Sequence, residues 1–454
     1  MSARSGQPSG SSYGPADPRS YEERLADLHT IHEQVCNINS RQGDSAVSDD
    51  LIRQLQERRA ETDLVQFDPV ADARGDMVLV VRGELLIRTE ALKDHERLIA
   101  AYCAQTHHVE CLDNRLVRLV AHPGTGGSQL IQLAGALQAR GVAVSMNDVA
   151  TTGATRAVIK KGFGSPEPSA AKRQPSLPPP GDGKPIRVAV IDTGIADEQR
   201  SDGWLTGLVQ SDNVDPLDAL PSPNGFLDLG AGHGTFVAGV VQQVAPGAEI
   251  AVYKGLDSDG AGSMVDTACA MVSAVRHGAQ ILNLSFGLEA LDDQPPVALE
   301  VALEIIDEVA RETGREVPLI VAAAGNFGRA RPVFPAAFPF PNVVAVAGLT
   351  QGLAPAQWSS RGSWVDCSTL GEGIWSTYVK GTESPIIDSM PDKFGADAWA
   401  LWTGTSFAAP QIAGAVAKIA QEHGLTPRDA LKKVLDGRPK IPGYGRAVEI
   451  LPPT

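Results

Sequence analysis

No run in this sequence reaches the ~18 consecutive apolar residues that a membrane-spanning helix requires, so no membrane partner is expected. Cysteine is scarce. Cys36, Cys103, Cys111, Cys269 and Cys367 are the whole set in 454 residues, and an odd, sparse set argues against a disulfide framework. Positive charge is in deficit: 39 Lys and Arg face 54 Asp and Glu, a formal net charge of −15. A surface that tracks nucleic-acid phosphates needs the opposite sign, so no nucleic-acid partner is expected. The opening MSARSGQPSGSSYGPADP has no apolar core behind its early arginine, unlike a secretory signal, and a cytoplasmic location is expected. What the chain does have is bulk. With 43% hydrophobic and 20% charged residues it can bury a core, and its length suits about three domains of ~150 residues.

Residues 1–18 are rich in Ser, Gly and Pro and read as a disordered arm. Residues 19–75 read as a helical segment. Leu25, Leu28, Ile31 and Val35 recur at three- and four-residue spacing, and DDLIRQLQERRAE repeats the pattern. Over 76–163, MVLVVRGELLIR reads as a strand with a possible bend at Gly83, HERLIAAYCAQ as a helix, RLVRLVA as a strand, SQLIQLAGALQARG as a helix and VAVSMNDV as a strand. This alternation suits a small α+β domain. Residues 164–185, largely Pro, Ser and Gly, read as an exposed linker. From 186 to 454 continuous apolar runs (IRVAVI, EIAVYK, AQILNL, PLIVAAA, VVAVAG) alternate with helical stretches. That is the texture of α/β architecture around a mostly parallel sheet covered on both faces.

Four places in this last region join a strand end or helix start to small residues and a reactive side chain. In IRVAVIDTG, Asp192 ends a buried strand, where open α/β sheets gather their ligands. A strand-end cap and the Asp-Thr-Gly of an aspartic protease are the competing readings; the latter needs a second such carboxylate, and none is present. In GHGTFVAGVV, glycines flank His233 at a helix start and leave the imidazole approachable. PLIVAAAGN ends in Asn326, which is either a plain turn residue or an amide donor to a developing oxyanion. In GTSFAAP, Ser406 is either a helix N-cap or a nucleophile made accessible by Gly404, Ala408 and Ala409, with its own N–H among the unpaired donors of the first turn.

Taken together, these motifs resemble the subtilases, the subtilisin-like serine proteases, whose triad runs Asp…His…Ser in the chain. The resemblance covers about Ile186 to Glu449. Ser285, Phe286 and Gly287 are similar to the family's substrate-binding strand, and Gly260, Ala261 and Gly262 to the strand facing it. The resemblance implies a three-layer subtilisin-like fold preceded by a ferredoxin-like propeptide-type domain. It also implies Ser406 as nucleophile, His233 as general base, Asp192 as its orienter, and Asn326 with the Ser406 N–H as oxyanion donors. The implied partners are a protein or peptide substrate and the chain's own N-terminal domain as intramolecular inhibitor. No metal or cofactor is expected, since Gln242-Gln243 run directly on to Val-Ala-Pro-Gly where extracellular members often insert a calcium-binding loop; calcium elsewhere stays open. Phe327 follows Asn326 beside the first specificity pocket, Phe236 stands where many members carry a second His, and Phe334-Pro335 matches a position with a cis peptide bond. An accessory domain that is never removed is the competing reading of 76–163.

One constellation competes for a metal: Cys103, His107 and Cys111 would share a helical face, but the run around Cys111 looks extended, so ordinary thiols are expected. Cys269 is expected in the core. The functional expectation is a serine endopeptidase made as a self-inhibited precursor with a restricted set of intracellular substrates, among which a single maturing peptide is one case. The alternative is a peptide-binding module with a blocked cleft.

Overall fold

The computed structural model describes residues 13–40, 53–54, 56–152, 165–208, 211–385 and 390–454. Most of the disordered arm expected over 1–18 lies outside the described residues. Its end is attached: the Tyr13 carbonyl accepts from Lys418 Nζ at 3.1 Å. Helix α1 (Tyr21–Ser40) starts on a reciprocal cap, with the Glu23 N–H donating to Ser20 Oγ and the Ser20 N–H to the Glu23 carboxylate. Its Ile31 is buried in the core of the C-terminal domain.

An antiparallel sheet follows, built from β1 (Phe67–Ala71), β2 (Met77–Arg88), β3 (Cys103–His108), β4 (Leu116–Ala121) and β5 (Val144–Thr151), with α2 (Gly127–Gln138) on one face. Successive side chains of a strand point to opposite faces. Leu85 and Ile87 of β2 accordingly pack with Leu130, Leu133 and Leu137 of α2, while Leu86 packs into the core of the C-terminal domain. Both faces being covered explains why β2 is nearly all apolar. Two expectations need correction here. The segment 19–75 is not wholly helical, because its end forms β1 against β2. The helix expected through HERLIAAYCAQ stops at Ala100, and CAQTHH is β3, drawn into extended form by the backbone donors and acceptors of β4.

The C-terminal domain comprises β6 (Arg187–Asp192), α3 (His233–Val244), β7 (Glu249–Lys254), β8 (Ala261–Ser263), α4 (Met264–Arg276), β9 (Ile281–Leu284), α5 (Val297–Glu312), β10 (Leu319–Ala323), β11 (Val343–Leu349), β12 (Cys367–Leu370), β13 (Trp399–Trp402), α6 (Thr405–His423), β14 (Lys440–Ile441) and β15 (Gly445–Ala447). Its main sheet has the order β7-β6-β9-β10-β11-β12-β15-β14, parallel except for the last pair. Helices α3 and α6 bury one face and α4 and α5 the other, so this is the three-layer arrangement expected from the apolar strand runs.

The two parts are bound together by more than contact. β5 pairs antiparallel with β8, so the N-terminal sheet continues into the C-terminal domain. Residues expected as an exposed linker are pinned instead. Glu167–Pro168 add to the edge of β13, the Pro175 carbonyl accepts from Trp204 Nε1, and the Gly181 carbonyl accepts from Gln421 Nε2. Cys111 and Cys269 form a disulfide across the junction, 158 residues apart in the chain. That corrects the reading of Cys269 as a core thiol and of Cys111 as an unpaired one; sequence spacing carries no signal for such a pair. It sets an expected result: after a single cut between residues 152 and 165, the fragments run as one species on a non-reducing gel and as two with reductant. Separation without reductant rules the bond out.

Candidate active site

The candidate catalytic side chains Asp192 and His233 meet at the carboxyl end of a parallel strand. Asp192 closes β6, and His233 opens α3 immediately after Gly232, whose φ of +75° favours glycine. Helix α3 approaches the strand end so closely that a Cβ on Gly234 would stand 2.1 Å from the Gly194 carbonyl oxygen. Only glycine permits this approach. It brings His233 Nδ1 to 2.7 Å from Asp192 Oδ1, which also accepts from the Thr193 N–H at 2.8 Å. Both side chains are buried, Asp192 completely. In a dry setting the carboxylate fixes which imidazole nitrogen carries the proton, leaving Nε2 free to act as a base.

Ser406 is the second residue of α6. Its hydroxyl donates to the Ser285 carbonyl at 2.9 Å, and having one proton it cannot at the same time donate to His233. Ser285 returns the contact, donating from Oγ to the Ser406 carbonyl at 2.7 Å while accepting from Asn283 Nδ2. Asn326 is oriented by its neighbour. Its Oδ1 accepts from both the N–H and the hydroxyl of Thr405 at 2.9 Å, which turns Nδ2 toward Gly404 at the start of α6. An amide donor and the Ser406 N–H of a first helical turn thus lie together, a setting able to hold a negative oxygen. Replacing Asn326 by alanine is expected to lower kcat by about 10²–10³-fold with KM little changed, a magnitude taken from the same donor in a subtilisin. A loss confined to KM argues against the oxyanion role.

Several contributors had no sequence signal of their own. Asp215 is buried, and burial raises its carboxyl to about 6. Its Oδ2 accepts from Thr193 Oγ1 and from the Gly232 N–H, both at 2.9 Å, and Thr193 Oγ1 accepts from the Gly234 N–H. This chain of bonds ties the strand end carrying Asp192 to the helix start carrying His233. Thr193 could be suspected as the neighbour of Asp192; Asp215 could not. Phe236 fills a cluster with Trp402 and Phe407, at ring separations of 5.4 and 4.6 Å, and His233 meets the same two rings edge-on and tilted. The Phe334–Pro335 peptide is cis, and so is Leu220–Pro221.

The cleft strands lie to either side of Ser406. Gly260 and β8 form one, and Ser285 to Gly287, beyond the end of β9, form the other. Phe286 points into the core, so its backbone and not its ring faces the cleft. The lane between is occupied by the end of β5. Thr151 pairs with Ala261 on one side and bridges Gly287 on the other, with N–H to carbonyl distances of 3.3 and 3.0 Å. The Thr152 N–H donates to the Gly260 carbonyl at 2.8 Å. Ser406 and His233 are 3% and 1% exposed. The donors near the end of α3 do not fit a calcium ion: Gln242 Oε1 accepts from the Leu205 N–H, and Gln243 Nε2 donates to the Trp375 carbonyl. Among the described residues no group of three acidic, His or Cys side chains is placed to hold a metal.

Residues 183–436 match the model of the Subtilase family. Thermitase of Thermoactinomyces vulgaris is 28% identical over 274 residues, covering 58% of this chain and 85% of thermitase. Subtilisin BL of Lederbergia lenta is 31% identical over 250 residues, 53% of this chain and 78% of that protein. The match to a thermophilic serine proteinase of Bacillus sp. strain AK1, 30% identical, spans 57% of each chain. The fold is similar to that of fervidolysin from Fervidobacterium pennivorans, a keratinolytic enzyme related to subtilisin, with a TM-score of 0.52 at 19% identity over 82% of this chain and 60% of that one. The chain therefore belongs to the subtilase family of subtilisin-like serine endopeptidases.

Proposed function

We propose that this chain is a subtilisin-like endopeptidase made as a self-inhibited precursor, whose N-terminal domain lays its last strand through the cleft and is cut there by the chain's own triad. The observation that carries the reading is the pairing of Thr151 with both cleft strands, the way an extended peptide adds to open strand edges. In hydrolysis Ser406 Oγ attacks the carbonyl while His233 takes its proton, Asp192 stabilises the imidazolium, and Asn326 with the Ser406 N–H holds the oxyanion. His233 then protonates the leaving amine, and water releases the acyl group by the reverse transfers. A substrate amide that takes the Ser285 carbonyl displaces the Ser406 hydroxyl from it and frees that hydroxyl for His233.

Thr151 stands opposite Gly287, and counting two positions on in the sequence, as an antiparallel peptide reaching Ser285 would require, makes Gly153–Ala154 the proposed self-cleaved bond. That lies upstream of residues 164–185, where composition alone puts a linker. Mass analysis of the processed protein tests the assignment: a fragment ending at Gly153 is expected, and a first cut within 164–185 overturns it. Restricted substrates fit a cleft that stays closed until processing. The five sparse cysteines are in keeping with the cytoplasmic location expected from the sequence. The Cys111–Cys269 bond favours an oxidising compartment instead, and alkylation of both thiols in rapidly quenched cells decides between them.

Release of the strand carries a pH dependence. Asp148, just before the cleft-bound residues, is fully buried, and burial raises its carboxyl to about 7 against a weaker lowering by its own backbone. The folded chain therefore holds this proton more tightly than the unfolded chain, whose carboxyl titrates near 3.8. The contribution is intact below about pH 4 and is lost as pH rises through 7, at most about 4 kcal/mol. Asp148→Asn is expected to be the more stable protein at pH 8 and to show a flatter stability profile from pH 4 to 8 in urea unfolding. Parallel profiles remove Asp148 from the account.

A further inference from the structure

We infer that this protease is selective for small residues, with glycine or alanine required on the acyl side of the cut bond, and that Val333 and Phe327 impose the restriction. The inference rests on the endopeptidase reading above. Strands β9 and β10 pair in parallel as far as Leu284 and Ala322, and beyond that the two backbones continue as Ser285–Gly287 and Ala324–Asn326. The side chain next to the reacting carbonyl must enter the gap between these two extensions. Both walls carry a glycine, a choice that ordinarily leaves room for a large side chain.

Here the room is taken by the protein itself. A Cβ on Gly287 would stand 2.7 Å from Val333 Cγ1, and one on Gly325 would stand 2.8 Å from Phe327 Cε2 and 3.2 Å from Ser360 Oγ. Neither occupant can readily retreat. Val333 is fully buried, and the next residue, Phe334, exchanges both backbone hydrogen bonds with Leu288, at 2.9 and 2.8 Å. A β-branched side chain on fixed backbone has little rotamer freedom with which to clear the gap. The Phe327 N–H donates to Ser360 Oγ at 3.2 Å, holding its ring over Gly325.

The strand seated in the cleft supports the same conclusion independently. Ala150 and Thr152 are both completely buried, Ala150 within the cluster that contains Leu256, Met264 and Phe286. Small side chains thus stand at both of these positions, and the sequence continues with glycine at 153, the residue ahead of the proposed cut.

The test uses the full-length protein after self-processing and reduction of Cys111–Cys269. Quenched fluorescent peptides Ala-Thr-Thr-Xaa-Ala, with Xaa as Gly, Ala, Leu, Phe or Lys, are assayed while a fluorophosphonate titrates Ser406. One surplus methylene costs about 10–200-fold in a fitted pocket, so kcat/KM for Leu, Phe and Lys is expected at least ~100-fold below that for Ala. Val333→Gly, or Val333→Ala if the glycine variant folds poorly, is expected to raise the Phe-to-Ala ratio at least ~10-fold. Full titration of Ser406 with Leu or Phe cleaved as fast as Ala overturns the inference and leaves the endopeptidase reading standing. Failure of Ser406 to label, with no peptide cut, removes that reading and the inference with it.

Discussion

Ser406→Ala is expected to leave the chain at full length and to lower peptide hydrolysis by about 10⁶-fold, the loss a subtilisin suffers without its serine or its histidine. The alanine removes the proposed nucleophile, while the Asp192–His233 bond and the Asn326 amide remain. What survives is the residual 10³–10⁴-fold or so over water that binding and oxyanion donors supply without the triad. The strand in the cleft belongs to the same chain, so the variant also accumulates the uncut precursor. Intact mass after incubation and kcat/KM on an unfolded protein read the two effects separately. His233→Ala should match Ser406→Ala, and the double variant should be hardly worse than either, because the two act as one unit. Losses that multiply in the double variant, or processing that persists in purified Ser406→Ala, would show that the bond is cut by other means.

Removal of Arg59 is expected to be the most destabilising single change outside the triad, at about 3–5 kcal/mol in urea unfolding of the full chain. Its guanidinium is completely buried, paired with both Asp259 oxygens at 2.7 and 2.6 Å and within 3.2 Å of Asp257. It also donates to the Ala261 and Val65 carbonyls at 3.0 Å and lies 4.1 Å from the centre of the Phe67 ring. Arg59→Ala strands Asp259 as an unpaired buried charge directly before a cleft strand. The double variant Arg59→Ala with Asp259→Ala should recover part of the loss, since it is the unmatched charge and not the absent pair that costs most. Equal or greater loss in the double variant would assign the effect to packing. The same geometry would make the N-terminal region costly to release after the proposed self-cleavage. Asp259 then loses its partner, Asp228 loses its 2.8 Å bond to Arg58, and Gln34 no longer bridges Leu401 and Thr403 on the approach to Ser406.

Local sequence determined a good deal. Asp192, His233, Asn326 and Ser406 stood out as candidates because each has small residues within two positions: Gly194, Gly232 and Gly234, Gly325, and Gly404 with Ala408. The parallel sheet was legible for a similar reason, since strands buried on both faces must be apolar without alternation. Short segments were less certain. CAQTHH carries no strong period, so pairing with β4 decided its form.

Contacts between distant parts of the chain were left to the tertiary structure. Arg59 reaches Asp259 across 200 residues and Cys111 reaches Cys269 across 158. Val333 fills the space beside Gly287, and Thr151 slides between two strands more than a hundred residues away. None of these partners leaves a mark on its neighbours in the chain. A local motif records what the backbone at one point must do, whereas a buried ion pair, a filled pocket or an occupied cleft exists only once the layers pack and bring the two surfaces together. The candidate catalytic residues were therefore marked locally, whereas the strand that lies along Gly260–Ser263 and Gly287 and the side chains beside those glycines were placed by the fold.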